Sequence, residues 1–429
     1  MVKYDLQMMR EDIERFNEWW FTGVVRPELA PRYRRRAFQR LVNSFGERQA
    51  LLITGLRRVG KTTLMYQAIE ELLKTCSPEK VLYFSFDEAT VNPKELLRFY
   101  EQNVLRKPFE NVDRAYIFFD EVQYAAGWPS VVKQFYDLYP NLKFILSGSS
   151  TLLLSTEAVQ KLAGRFFTLK LKPLTFTEFL EIKTGGRPTV SQRALLSYFN
   201  EYLTKAGFPE VVNWENENKV AEYVKNSVVE RVVFRDIPSI FRTRNLELMN
   251  NLIKQTILTP GITVNINHLS RTLGETRIVI SNYLKHLETT MVVRALANYR
   301  PSTASASRKL KKYYPATSAL TFAYSKRDFY EKMGAVLETY VVNALDAQYY
   351  FRDGRREVDV VLIDDRLTLV EVKQSAGLGD VARMAETARL LKAGKAVIIS
   401  YDQEFVKNNV EVVPAYSLES TPLYKRAND

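Results

Sequence analysis

Over roughly residues 49–185, short continuous apolar runs alternate with stretches whose apolar residues recur every three or four positions. The runs Ala50-Leu51-Leu52-Ile53-Thr54, Val81 to Phe86, Tyr116 to Phe119, Lys143 to Leu146 and Phe166 to Leu171 predict buried strands. Between the first two, Leu64, Met65, Ala68, Ile69 and Leu72 share one face of a helix expected over Thr62 to Lys74. Strands alternating with helices predict a parallel sheet covered on both faces. Residues 1–48 read as a polar, helical lead-in with Arg32, Arg34, Arg35, Arg36 and Arg40 clustered. A solvated helix face accounts for that cluster; contact with nucleic acid or a neighbouring subunit is the alternative. Residues 186–249 read as a helical lid or connector, broken at Gly207-Phe208-Pro209.

The rhythm then changes. Leu269, Leu273, Ile278, Ile280, Leu284 and Leu287 space two short helices around Gly274-Glu275-Thr276. This is a helix-turn-helix pattern with Glu275 to Leu287 as its second helix, and Val292 to Tyr299 predicts a wing. A winged helix-turn-helix is therefore expected over 250–312. Residues 313–429 predict a further α/β unit. It has a helix over Asp328 to Ala347, strands at Tyr349 to Phe351, Glu357 to Ile363, Thr368 to Lys373 and Ala396 to Ser400, and a helix near Val381 to Leu391. Asp353-Gly354 and Asp364-Asp365-Arg366 supply the hairpin turns.

Chemistry enters where the first strand ends. Gly55-Leu56-Arg57-Arg58-Val59-Gly60-Lys61-Thr62 fits G-x-x-x-x-G-K-[ST] between a strand and a helix, the context a phosphate-binding loop requires. Backbone N–H groups of Gly55, Arg57, Arg58, Val59, Gly60 and Thr63 and the helix N-terminus suit phosphate. Lys61 reaches the β- and γ-phosphates, and the Thr62 hydroxyl ligates Mg²⁺. The strand through Phe119 ends in Asp120-Glu121: Asp120 suits Mg²⁺, and Glu121 is placed to act as general base on water. Hydrolysis of a nucleoside triphosphate is the expectation.

Composition narrows the rest. With 429 residues, 46% of them hydrophobic, two to four domains are expected. One cysteine, Cys76, excludes an internal disulfide and a cysteine-based zinc cluster, and two histidines, His268 and His286, leave oxygen-liganded Mg²⁺ as the metal this chain suits. No apolar run approaches the ~20 residues that span a bilayer, so no membrane partner and a cytoplasmic location are expected. A net charge of +12 and a pI near 9.4 suit a polyanionic partner, or a surface with lysine and arginine in excess. From Thr289 to Arg327 there is no acidic residue, while Arg308, Lys309, Lys311 and Lys312 crowd beside the expected wing. With Arg277, Asn282 and Lys285 on the second helix they form a candidate DNA contact, mainly to phosphates and weakly dependent on sequence.

One acidic group stands apart. If the hairpin closes through Asp364, Asp365 and Arg366, then Ile363 faces Leu367 and Asp359 faces Glu371, with Cβ atoms about 5 Å apart. Such a pair repels unless a divalent cation or a proton sits between. With Glu338 from the preceding helix and Lys373 beside Glu371, the set suits Mg²⁺-assisted phosphodiester cleavage; an ion pair of Asp359 or Glu371 with Lys373 is the alternative.

Together these motifs resemble the prokaryotic AAA+-type P-loop ATPases that carry a C-terminal domain of unknown function. Further matches are Asp120-Glu121-Val122-Gln123, Ser147-Gly148-Ser149-Ser150, Leu162-Ala163-Gly164-Arg165, Pro173-Leu174-Thr175-Phe176-Thr177-Glu178-Phe179-Leu180 and Gly207-Phe208-Pro209-Glu210. The resemblance implies an α/β fold: an AAA+/ASCE sheet over 49–185 that binds ATP with Mg²⁺, with the Ser147 strand between those of Asp120 and Gly55. It implies Ser147 or Ser149 as sensor of the γ-phosphate, and Arg165 as an arginine acting on phosphate, within the chain or across a boundary in a homo-oligomer. The C-terminal unit resembles the restriction-endonuclease-like PD-(D/E)xK fold, to which Glu338, Asp359, Glu371 and Lys373 map, with Val358 where the name-giving proline would stand. The implied function is an ATP hydrolase in DNA transactions. The alternative is a nucleotide-dependent switch whose C-terminal domains bind a protein partner, the nuclease fold being inactive.

Overall fold

The computed structural model describes residues 6–87, 91–148, 160–186, 191–241, 243, 245–300, 310–354, 356–363 and 366–428. Two compact units emerge, residues 1–172 and 173–429. The boundaries expected after residues 185, 249 and 312 fall inside the second unit, and the lead-in belongs to the first.

The first unit is built on strands β1 Ala50–Thr54, β2 Val81–Ser85, β3 Ala115–Asp120, β4 Leu142–Gly148 and β5 Phe166–Lys170. They form one parallel sheet in the order β2-β3-β4-β1-β5. Burial on both faces explains why β1 is apolar up to Thr54 and why β4 carries the apolar run Phe144-Ile145-Leu146. All five strands run the same way, so their C-terminal ends, followed by Gly55, Phe86, Glu121 and Leu171, line one edge of the sheet.

The lead-in differs from its expected polar character. Helices Leu6–Phe16, Trp19–Thr22 and Ala37–Asn43 bring Ile13, Trp19 and Leu41 into the core. The reason is β2, an edge strand with unpaired backbone groups. The Asn17 carboxamide accepts the Tyr83 N–H (2.7 Å) and donates to its carbonyl (2.8 Å), while the indoles of Trp19 and Trp20 donate to Val81 O at 3.1 and 2.9 Å. Arg34 and Arg35 are ion-paired or hydrogen-bonded against the phosphate loop and its helix rather than solvated.

Lys143 is a cost inside this sheet. It is buried on β4, and its Nζ donates to Gln49 O. Burial pulls its pKa from 10.5 down to about 8, with Glu47 acting the other way. The unfolded chain keeps that proton up to about pH 10.5, so between the two values it binds more protons than the folded chain, and stability rises with pH. We expect Lys143 to contribute a rise of about 1–3 kcal/mol across this window, read by urea unfolding as the difference between the unaltered chain and Lys143→Met. Lys143→Met should flatten it; an unaltered slope in that variant would contradict the assignment.

The second unit carries one nine-stranded sheet, in the order β13-β14-β12-β11-β10-β9-β7-β8-β6. Its strands are β6 Ile262–Val264, β7 Val293–Asn298, β8 Lys311–Pro315, β9 Tyr349–Arg352, β10 Glu357–Ile363, β11 Leu367–Lys373, β12 Lys395–Ser400, β13 Phe405–Lys407 and β14 Val410–Pro414. β7 pairs with β8 antiparallel and with β9 parallel, so the strands that accompany the helix pair Ile266–Leu273 and Arg277–Thr289 continue into the C-terminal sheet. The second helix of that pair runs Arg277–Thr289, starting after Thr276, whose side chain accepts the Val279 N–H as N-cap. The single helix expected over 328–347 is two, Lys326–Glu331 and Met333–Ala344, broken at Lys332. No helix among the described residues is long and apolar enough to cross a membrane.

Candidate functional site

The loop after β1 turns where only glycine fits. A Cβ on Gly55 would stand 2.3 Å from Leu171 O, and Gly60 has φ +96°. Arg58 also adopts a left-handed conformation, with φ 66°. Lys61 opens helix Lys61–Leu72; its buried ammonium donates to Gly55 O (3.3 Å) and Leu56 O (3.2 Å), carbonyls with which phosphate oxygens would compete. Thr63 is half-buried in the first turn. Val59 is buried, and its carbonyl accepts from Arg35 at 3.0 Å; the same guanidinium nitrogen donates to Lys172 O at 2.9 Å. Arg57 lies 3.5 Å from Asp87.

Asp120 joins this loop to the sheet. Its Oδ2 accepts from Thr62 Oγ1 (2.6 Å) and the Tyr83 hydroxyl (2.9 Å), and Oδ1 from Ser147 Oγ and the Glu121 N–H (3.1 Å). Burial, then the charge of Glu121, raises the Asp120 pKa, and the hydroxyl donors oppose that rise. Glu121 has φ 53°, a strained conformation for a non-glycine residue, and its carboxylate accepts from Gln123. Ser147, completely buried, thus holds Asp120; Ser149 lies outside the described residues. Thr62 and Asp120 are hard oxygen donors already in contact, a set that fits Mg²⁺. Tyr83 and Asn17 escaped the sequence reading, and Arg35 entered it only as one of a charge cluster, since their contacts span 24 to 137 residues along the chain.

Arg165 is elsewhere. Its carbonyl accepts the Ala50 N–H, so it lies at the start of β1, about 17 Å of strand from the phosphate loop. Its guanidinium is paired with Asp137 at 2.8 and 3.2 Å. Action on phosphate within its own chain is corrected by this placement: a guanidinium cannot cover that distance.

In the second unit, β10 and β11 pair Ile363 with Leu367 and run on to Val360 with Val370, the pairing a three-residue loop predicts, while the β9–β10 register shifts between Val358 and Val361, around Asp359. Asp364 and Asp365 lie outside the described residues. Asp359 Oδ2 accepts the Val372 N–H at 2.9 Å, and Glu371 Oε1 pairs with Lys373 Nζ at 2.6 Å. Burial, then Asp359, raises the pKa values of both Glu338 and Glu371. The charge at the centre is one that was expected outside. Lys312, 5% exposed, lies 2.5 Å from Glu357, 3.4 Å from Glu338 and 3.7 Å from Asp359, and 5.3 Å from the Tyr350 ring centroid. Tyr314 also donates to Glu338. Strand parity was the overlooked signal: on β8, Lys312 and Tyr314 point to the opposite face from Lys311 and Tyr313. Among the described residues no three His, Cys, Asp or Glu side chains are disposed to hold a metal, so as it stands this ion-paired cluster does not fit one.

The expected DNA contacts divide. Arg277, Asn282 and Lys285 are exposed on helix Arg277–Thr289, beside a groove of ≈ 670 Å³ that also exposes Ile278 and Leu310. Lys311 is half-exposed and paired with Glu288 at 3.0 Å. Lys312 is removed as a DNA contact by its burial, and Arg308 and Lys309 lie outside the described residues. Glu275 accepts from Asn245 at 2.9 Å.

Residues 47–180 match the family described as an AAA domain, and residues 196–328 a domain of unknown function. An uncharacterized protein of Methanocaldococcus jannaschii is 27% identical over 340 residues, 75% of this chain and 74% of its own. One of Haemophilus influenzae is 27% identical over 233 residues, 54% of this chain and 57% of its own. The Aeropyrum pernix Orc1 protein in complex with DNA aligns over 74% of this chain and 97% of its own, at 13% identity and a TM-score of 0.34. Residues 47–180 are thus similar to an AAA domain, and the five-stranded parallel sheet is consistent with a P-loop fold of that type.

Proposed function

We propose that the first unit binds and hydrolyses ATP with Mg²⁺, and that the second unit contacts DNA. The observation that carries the reading is the contact of Thr62 with Asp120, which joins the phosphate loop to a strand-end carboxylate beside Glu121. Lys61, Thr62 and the loop N–H groups of Gly55, Arg57, Arg58, Val59, Gly60 and Thr63 hold the phosphates. Bound Mg²⁺ supplies positive charge at the β- and γ-phosphate oxygens. Glu121 takes the proton of an attacking water, and Ser147 keeps Asp120 oriented. Arg165 is suited only to a neighbouring copy, which gives homo-oligomerisation a role.

For DNA, the exposed Arg277, Asn282 and Lys285 support backbone contact with weak sequence dependence. The test measures duplex binding across a salt series. Replacing Arg277 and Lys285 by alanine should lower affinity at every sequence and flatten the log–log salt slope by about 2. DNA should also stimulate ATP turnover of the unaltered protein. Unchanged binding and slope, with turnover indifferent to DNA, would favour the switch reading, in which the groove exposing Ile278 (73%) takes a protein partner. The same incubation with Mg²⁺ reads nuclease action: product would require Lys312 to leave Glu338 and Asp359, and Glu371 and Lys373 to act with them.

A further inference from the structure

Asp120 is gripped from a direction that the phosphate loop does not explain. Thr62 belongs to the loop and Ser147 to the neighbouring β4, but Tyr83 comes from the edge strand β2, beyond β3. Tyr83 is 1% exposed, and its ring lies 4.6 Å from that of Tyr66, on the helix that Lys61 opens. Both backbone groups of Tyr83 are taken by the completely buried Asn17, whose carboxamide also donates to Ile13 O at 2.7 Å. An unbroken series of contacts thus runs from helix Leu6–Phe16 through Asn17 and Tyr83 to the Asp120 carboxylate.

We propose that Tyr83 is a positioning residue for the cation-binding carboxylate and that Asn17 fixes Tyr83, which makes the N-terminal helix part of the nucleotide site. The inference rests on Thr62 and Asp120 being the Mg²⁺ ligands. Thr62 donates its one hydroxyl proton to Asp120 Oδ2, a bond whose direction is constrained once the same oxygen also turns a lone pair to a cation. Ser147 and the Glu121 N–H both hold Oδ1, and a carboxylate held firmly at one oxygen can still rotate about its bond to Cβ. The Tyr83 hydroxyl on Oδ2 removes that freedom. Groups that orient metal ligands in this way typically change metal affinity by about 10–100-fold when removed.

The test uses the full chain and a fluorescent ATP analogue, titrated with and without Mg²⁺. Tyr83→Phe keeps the ring and removes only the hydroxyl. It should bind the analogue normally in EDTA, unfold within a few degrees of the parent, and need about tenfold more Mg²⁺ for half its gain in affinity. Turnover should recover at saturating Mg²⁺, and in an Asp120→Asn background Tyr83→Phe should have no further effect. Asn17→Ala should shift the Mg²⁺ requirement severalfold in the same direction, and it carries the test if Tyr83→Phe does not fold. If the unaltered protein gains no affinity from Mg²⁺, the nucleotide reading itself falls. If it gains affinity and Tyr83→Phe requires the same Mg²⁺, the inference is overturned; an unmoved Asn17→Ala overturns the role of the helix.

Discussion

Glu121→Gln protein is expected to bind ATP about as well as the unaltered chain and to turn it over about 10²–10⁴-fold more slowly. The amide keeps the volume of the side chain and its hydrogen bond with Gln123, but it cannot accept the proton of an attacking water. The proposed Mg²⁺ ligands Thr62 and Asp120 are left intact, as is the Ser147 bond that orients Asp120. Lys61→Ala separates binding from chemistry. It removes the one ammonium that opens the helix after the loop, so nucleotide affinity should fall steeply before any question of turnover arises. Single-turnover kinetics on the two variants checks both statements. Near-normal turnover by Glu121→Gln would remove Glu121 as the base.

Lys312→Met is expected to destabilise the second unit by about 3–5 kcal/mol. Methionine fills much of the same space, so the loss comes from electrostatics rather than from a cavity. Glu338 and Asp359 are largely buried, and without the ammonium they are left facing Glu357, whose remaining cation, Arg352, lies 3.5 Å from it. Acid should lessen the loss, because protonation relieves the same repulsion. Denaturant unfolding of the full chain at two pH values reads both effects. A loss below about 1 kcal/mol would show that the carboxylates accommodate themselves without Lys312. The variant also separates burial from surface charge, since Lys312→Met should leave the salt slope of DNA binding unchanged while the Arg277 and Lys285 replacements alter it.

Much of this chain is legible residue by residue. The glycine loop, the strands around it, the Asp120-Glu121 strand end and the two helices about Gly274 are local patterns, set by side-chain period, turn chemistry and N-caps. The β10–β11 register follows from strand parity and loop length alone. Helix ends moved by one to three residues, as where the Thr276 cap decides, and of the two partners of the Lys332 ammonium only Asp328 is local, Leu258 O lying 74 residues away.

By itself the sequence determined which residues form the glycine loop after β1, which carboxylates stand at the end of β3, and that Ile363 pairs with Leu367. Tertiary structure alone decided which charge meets which. Lys311 and Lys312 are adjacent and chemically alike, yet one reaches solvent and Glu288 while the other is buried among three carboxylates. Arg165 belongs to a motif run but lies at the wrong end of its strand to reach phosphate, and Tyr83 belongs to no motif but holds Asp120. Local sequence sets the backbone period and so the face each side chain takes. What waits on that face depends on strand order and on segments distant along the chain, which short-range patterns do not encode.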